Sequence, residues 1–219
     1  MKRPTRRLDR KGKAENVPAA GGIGEIHFYR ANEKPHGAFS NLFRRPITFE
    51  GREYPTAEHA YQAGKASKER VREWLLGAPT PSLLAMAAHG LYSWDVVSNW
   101  TQIKYDRMRR VLLAKFSQHA DLMELLLSTG DARLVETGRV DNAVNRTWGE
   151  INGKGRNMLG VLLMEVRAEL RQNCACKTAL PGSSKRKSTG RGAKIGRLPR
   201  FGTGKQTEST NHVKFILQH

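Results

Sequence analysis

The chain has 219 residues, and its 38 Lys and Arg outnumber its 20 Asp and Glu, for a formal net charge of +18. Its length suits one ordinary domain with tails, no apolar run approaches the roughly 20 residues of a membrane span, and two cysteines exclude a disulfide framework. A signal-peptide core does not follow the basic N-terminus. We therefore expect a cytoplasmic protein that has no contact with a membrane and binds a polyanion.

The basic charge is concentrated at the two ends of the chain. Residues 1–25 hold seven Lys and Arg against three Asp and Glu, and residues 171–219 hold eleven against one. The middle, residues 26–170, holds twenty against sixteen and is therefore close to neutral. The ends are also poor in apolar side chains, so they cannot bury enough surface to fold. We predict one folded domain over 26–170 between two disordered basic tails, which could contact nucleic acid.

The middle of the chain alternates short strand patterns with longer helical ones. Residues 26–30 and 133–136 have the composition of strands, and 46–55 indicates a hairpin that turns at Glu50 and Gly51. Thr56 is a good N-cap for a helix that runs to about Lys68. Further helices are predicted over 80–89, 99–116, 121–129 and 157–171. Helix outweighs strand in a mixed order, so the predicted class is α+β, compact and mostly helical.

The first predicted helix has an unusual polar stripe. Glu58, Gln62 and Lys65 stand at positions i, i+4 and i+7, so they share one face. Alanines and Gly64 make the rest of this helix narrow, which allows close packing against neighbours. The stripe therefore faces either solvent or a cleft. The apolar hairpin that leads into the helix favours the cleft.

Other polar and aromatic candidates precede or follow predicted elements. Lys154 and Arg156 lie in a glycine-flanked turn that opens the last helix, where backbone N–H groups and positive charge can bind a phosphate. No spacing of His, Cys, Asp or Glu requires a metal, and no Gly-x-Gly-x-x-Gly motif indicates a nicotinamide cofactor, so we expect neither. The remaining candidates are Ser40, Asn41, Trp100, Glu136, Asp141, Trp148, Gly149 and Asn157.

Several of these residues lie in blocks that resemble the NADAR family. The most specific blocks are Phe-Ser-Asn-Leu-Phe at 39–43 and Glu-His-Ala-Tyr-Gln-Ala-Gly-Lys-Ala at 58–66. Further blocks follow in the same order at 115–116, 129–131, 134–136, 148–149 and 155–167. The resemblance covers about 26–170 and leaves out both tails. The family includes YbiA-type N-glycosidases of riboflavin-biosynthesis intermediates and hydrolases that remove ADP-ribose from guanine bases in DNA.

The resemblance implies a hydrolase that cleaves the N-glycosidic bond between ribose and a base. It implies that Glu58, Gln62 and Lys65 line the site. By the same resemblance, the other site residues are Ser40, Asn41, Trp100, Asp141, Trp148, Gly149 and Asn157.

Cleavage of such a bond builds positive charge on the sugar. Glu58 is the first candidate for the carboxylate that stabilises this charge or activates water. Asp141 is the candidate second carboxyl group, with Glu136 as the alternative. Lys65 either binds substrate oxygens or attacks C1′ as a neutral amine and forms an imine. A tryptophan, Trp100 or Trp148, could stack on the base, and Lys154 and Arg156 could hold the phosphate.

Three functions remain open at this point. The first is hydrolysis of a small phosphorylated riboside, such as a riboflavin-biosynthesis intermediate. The second is removal of ADP-ribose from guanine bases of nucleic acid, which the basic tails favour. The third is a non-catalytic module that binds ADP-ribose or nucleic acid. The Glu58, Gln62 and Lys65 stripe favours an enzyme, because a simple binding module does not need it.

Overall fold

The computed structural model describes residues 24–178. Most of the two predicted tails lies outside these residues, so their disorder stays a prediction. The strands are β1 (Glu25–Phe28), β2 (Ile47–Phe49), β3 (Arg52–Tyr54) and β4 (Arg133–Glu136). The helices are α1 (Ala57–Ala63), α2 (Glu69–Leu76), α3 (Pro81–His89), α4 (Trp100–Gln118), α5 (Ala120–Ser128), α6 (Ala143–Trp148) and α7 (Met158–Thr178). Single 3₁₀ turns cover His36–Phe39 and Ser93–Asp95. The α+β class is confirmed.

The strands form two separate pairs. β1 pairs with β4 in parallel, with Phe28 opposite Glu136. β2 and β3 form the predicted antiparallel hairpin. Its turn residues Glu50 and Gly51 have φ angles of 51° and 78°, which is the left-handed pair that matches the twist of a two-residue hairpin loop.

The main core lies between α4, α5, α7 and the β1–β4 pair. The predicted apolar side of α7 is confirmed, because Leu159, Leu162, Leu163, Val166 and Leu170 are all buried in it. The helix packs directly on β4 and on α4. The same cluster contains Phe28, Phe39, Leu112, Phe116 and Leu134. Among the described residues, no helix is both long enough and apolar enough to cross a membrane.

The first helix is shorter than predicted. It ends at Ala63, and the Arg107 guanidinium donates to the carbonyl oxygens of Tyr61 (3.1 Å) and Ala60 (2.7 Å). A Cβ on Gly64 would lie 2.1 Å from Arg107 Nε, so a glycine is needed where this side chain crosses the helix end. Lys65 therefore lies in the turn after α1, and the chain restarts as α2, which the sequence patterns missed.

Candidate active site

Helix α1 presents its polar stripe to a cavity and not to solvent. Glu58 is 7% exposed and Gln62 is 3% exposed. Gln62 Nε2 donates to Glu58 Oε1 at 2.7 Å, and the Glu58 N–H donates to the carbonyl oxygen of Asn41 at 3.1 Å. Glu58 and Gln62 therefore face a cleft, as predicted. The alternative interpretation, a face exposed to solvent, is wrong for these two residues.

Two carboxyl groups meet in one cavity of about 220 Å³, which we call the carboxyl cavity. Glu58 comes from α1 and Glu136 from the end of β4. The cavity is also lined by Ser40, Asn41, Gln62 and Trp148. It therefore brings together residues that are spread over more than half of the sequence.

The pKa values of both carboxyl groups are raised. Burial raises the pKa of Glu58 to about 7, against the hydrogen bond from Gln62 and the charge of Lys65, which lower it. Burial raises the pKa of Glu136 to about 8, and the charge of Glu58 raises it further. Two carboxyl groups of raised pKa in one site can serve as a general base and a general acid near neutral pH.

Two of the predicted binding residues position Glu136. Asn157 Oδ1 accepts from the Glu136 N–H at 3.0 Å, and its Nδ2 donates to the Leu134 carbonyl at 2.7 Å. A Cβ on Gly149 would lie 2.4 Å from the Glu136 carbonyl oxygen, so only glycine allows this approach. Asn157 and Gly149 therefore act on the strand that carries Glu136 and do not line the cavity themselves.

A second cavity of about 250 Å³ adjoins the first, and we call it the lysine cavity. It shares Tyr61, Gln62 and Trp148 with the carboxyl cavity. The Tyr61 ring lies 5.1 Å from Trp100 and 5.5 Å from Trp148, measured between ring centroids. The aromatic groups therefore stand between a carboxyl end and a cationic end of one cleft.

Lys65 and Lys104 supply the positive charge of the lysine cavity. Lys65 Nζ donates to the Ala88 carbonyl, and burial lowers its pKa, partly offset by the charge of Glu58. Sequence reasoning missed Lys104 and also His89, which lines both cavities. Lys104 stands four residues after Trp100 on α4, and that spacing was an available signal.

Three predicted site residues lie elsewhere. Asp141 is exposed and accepts from Arg146 Nη2 at 2.7 Å, so it is outside both cavities. Lys154 and Arg156 are also exposed and line neither cavity. Arg156 instead donates to the Tyr105 hydroxyl at 3.2 Å. Within residues 24–178, no group of three or more His, Cys, Asp or Glu is arranged to hold a metal.

The fold and the cleft define an α+β protein with two carboxyl groups of raised pKa in one cavity, next to aromatic and cationic groups. A family model described as the NADAR domain matches residues 27–171. The chain belongs to the NADAR family, as the sequence blocks predicted.

Named relatives agree with this assignment. The N-glycosidase YbiA of Escherichia coli is 40% identical over 146 residues, which are 66% of this chain and 88% of that protein. An N-glycosidase of Nostoc punctiforme is 37% identical over 149 residues, 67% of this chain and 92% of the relative. The NMR structure of E. coli YbiA superposes with a TM-score of 0.62 at 34% identity, covering 76% of this chain and 94% of that one. The predicted enzyme class, a hydrolase of N-glycosidic bonds, is confirmed.

Proposed function

We propose that this enzyme hydrolyses the N-glycosidic bond of a phosphorylated riboside, such as an intermediate of riboflavin biosynthesis. The observation that carries the proposal is the pair Glu58 and Glu136 in a small cavity that adjoins the lysine cavity. A phosphate on the ribose suits Lys65 and Lys104, and the reacting C1′ suits the carboxyl groups. A relative from Vibrio vulnificus, 35% identical over 149 residues, is named a riboflavin biosynthesis protein. A cytoplasmic location remains part of the proposal.

The proposed reaction uses both carboxyl groups. Ionised Glu58 stabilises the positive charge that develops on the sugar and takes a proton from the attacking water. The water oxygen forms its bond to C1′ while the bond from C1′ to the base nitrogen breaks. Protonated Glu136 gives its proton to the leaving base. The products are a ribose phosphate and the free base, and a proton transfer between the carboxyl groups restores the starting state.

Lys65 has two possible roles in this reaction. Its bond to the Ala88 carbonyl and its place in the lysine cavity favour binding of phosphate or ribose oxygens. A lowered pKa also makes a neutral amine available for attack on C1′. In that route the bond from C1′ to the base nitrogen breaks and the base leaves with a proton. The C1′–O4′ bond then opens, O4′ takes a proton, and water hydrolyses the resulting imine to release the ribose and the amine. Borohydride added during turnover distinguishes the roles. A trapped adduct that is absent from Lys65→Ala supports the imine route.

Glu136, and not Asp141, is the proposed general acid. We expect Glu136→Gln to lower kcat by about 10²–10³-fold, because the amide cannot protonate the leaving base. Asp141→Asn removes only an exposed ion pair with Arg146, so activity should stay within about twofold of wild type. Steady-state kinetics on one substrate compare the two variants. The opposite ranking would return the role to Asp141.

The pH dependence of kcat/KM provides an independent measurement. The reaction needs Glu58 ionised, which requires a pH above about 7, and Glu136 protonated, which requires a pH below about 8. We therefore expect a narrow maximum between these values. Glu136→Gln should lose the alkaline limb and keep the acid limb. A flat profile from pH 6 to 9 in the wild-type enzyme would contradict these roles.

Product analysis on two substrates tests the function itself. The wild-type protein should release the base from a ribosylaminopyrimidine 5′-phosphate. The alternative is release of ADP-ribose from modified guanine in DNA, which the surplus of ten positive charges in residues 171–219 favours. A chain without 179–219 keeps α7 whole and removes much of this charge. A loss that is confined to the DNA substrate and disappears in high salt supports the alternative.

A further inference from the structure

Two buried side-chain carbonyl oxygens, on residues that line the carboxyl cavity, have no hydrogen-bond donor within residues 24–178. They are Oδ1 of Asn41 and Oε1 of Gln62, and no partner exists for either among the described residues. Both side chains are more than nine-tenths buried, at 7% and 3% exposed. Buried polar atoms in folded proteins are nearly always paired, and an unpaired one destabilises the fold. These two oxygens, on residues that line one cavity, are therefore candidate acceptors for a bound ligand.

The other end of each amide is already engaged. Gln62 Nε2 donates to Glu58 Oε1 at 2.7 Å, so rotating the Gln62 amide would turn its oxygen toward a carboxyl oxygen. Asn41 Nδ2 lies 3.2 Å from Met108 Sδ, to which it donates. Both side-chain carbonyl oxygens are therefore oriented as acceptors that have no donor in the described part of the protein.

Both residues also bond to Glu58. Gln62 Nε2 donates to the Glu58 carboxyl group, and the backbone carbonyl oxygen of Asn41 accepts the Glu58 N–H at 3.1 Å. The segment that carries Asn41 is anchored in turn, because buried Lys115 Nζ donates to the Ser40 carbonyl at 2.9 Å. A donor bound by these oxygens is thus placed in fixed relation to the catalytic carboxyl group.

We propose that Asn41 Oδ1 and Gln62 Oε1 accept hydrogen bonds from the vicinal 2′- and 3′-hydroxyls of the substrate ribose and so make the enzyme selective for ribosides over 2′-deoxyribosides. This inference rests on the proposed function, which places C1′ beside Glu58. The 2′-hydroxyl is on the carbon next to C1′, and the Gln62 acceptor is on the amide that contacts Glu58. Hydrogen bonds to this hydroxyl strengthen as charge builds on the sugar.

The selectivity bears on DNA as a competing substrate. The bases of DNA are attached to 2′-deoxyribose, which lacks the 2′-hydroxyl. A site whose two buried acceptors stay unpaired with deoxyribose disfavours that substrate, since sites built to bond a hydroxyl strongly reject the analogue without it. Undamaged DNA is then a poor substrate because of its sugar alone, and no further structural element is needed to exclude it.

A matched pair of substrates tests the proposal on the wild-type enzyme. We compare kcat/KM for a ribosylaminopyrimidine 5′-phosphate and its 2′-deoxy analogue, and we expect the riboside to be favoured by at least about 100-fold. Gln62→Met removes the acceptor and should lower the rate on the riboside much more than the rate on the deoxyriboside. Gln102→Met, on the exposed side of α4, is the matched control and should leave the ratio unchanged.

Several outcomes overturn the proposal. Equal cleavage of the two substrates rejects it and leaves the proposed function standing. A rate that falls instead when the amino groups of the base are removed assigns the two acceptors to the base. If neither substrate is cleaved, the proposed function fails, and calorimetry with ribose 5-phosphate and 2-deoxyribose 5-phosphate still tests the acceptors. Tighter binding of ribose 5-phosphate supports them, and equal binding rejects them.

Discussion

Glu58→Gln is expected to lower kcat by about 10³-fold, which lies within the usual range for loss of a general base. The replacement amide cannot ionise, so it neither stabilises the sugar cation nor takes a proton from water. Its oxygen can still accept from Gln62 Nε2, which now donates to Glu58 Oε1, so the local geometry should survive. Single-turnover kinetics on the riboside phosphate measure the chemical step directly.

Stability measurements separate this effect from misfolding. Burial raises the pKa of Glu58 to about 7, so above that pH the folded protein bears the cost of a buried carboxylate. Glu58→Gln removes this cost, and the variant should be at least as stable as wild type at pH 8. Glu53→Gln, an exposed residue of β3, is the matched control for both measurements. Wild-type turnover in Glu58→Gln would remove Glu58 from the mechanism.

Lys115→Met is expected to change how the free energy of unfolding depends on pH. Lys115 is 0% exposed, and burial lowers its pKa to about 7. In the unfolded chain its pKa returns to about 10. The unfolded state therefore binds more protons between these values, so Lys115 makes the protein more stable as pH rises from about 7 to about 10. The variant should lose this rise, which amounts to at most about 5 kcal/mol.

Urea unfolding at pH 6, 7, 8, 9 and 10 measures the effect as a difference between wild type and variant. A difference is needed because Glu58 and Glu136 have raised pKa values and make the wild type less stable as pH rises through their folded pKa values. Lys154→Met, at an exposed position, is the control and should follow wild type. Parallel curves for wild type and Lys115→Met would show that Lys115 does not carry this proton linkage.

The elements that were predicted correctly from the sequence are those that a local pattern of residues determines. The hairpin at Glu50 and Gly51 and the apolar side of α7 can be read from neighbouring residues alone. The end of α1 could not, because it is set by Arg107, which bonds the carbonyl oxygens of Ala60 and Tyr61 from 47 and 46 residues away, respectively. Helix α6 was not predicted, although the sequence contains a helix-start signal for it. Asn142 is its N-cap, and Asn142 Oδ1 accepts from the Asn145 N–H at 2.8 Å.

The residues of the candidate site also fall into two groups, those that local spacing relates and those that only distant contacts bring together. Glu58 and Gln62 could be paired from helical spacing, and the structure joins them. The choice between Glu136 and Asp141 could not be made from spacing, because it depends on which side chain points into the cavity after β4 pairs with β1. Asn157 and Gly149 were predicted to bind substrate, which stays a prediction, and the structure places both against the Glu136 backbone. Their role is visible only once a distant segment packs against the strand.

The parallel pairing of β1 with β4 has a consequence for synthesis on the ribosome. Arg133 bonds Glu25 across a sequence separation of 108 residues, and Asn157, which holds the Glu136 backbone, comes later still. Contacts of such long range form only after the intervening loop has closed. A nascent chain can therefore form its hairpin and α1 early, while the proposed catalytic site is completed only when the start of α7 has emerged. Incomplete chains carry Glu58 without its partner and should be inactive.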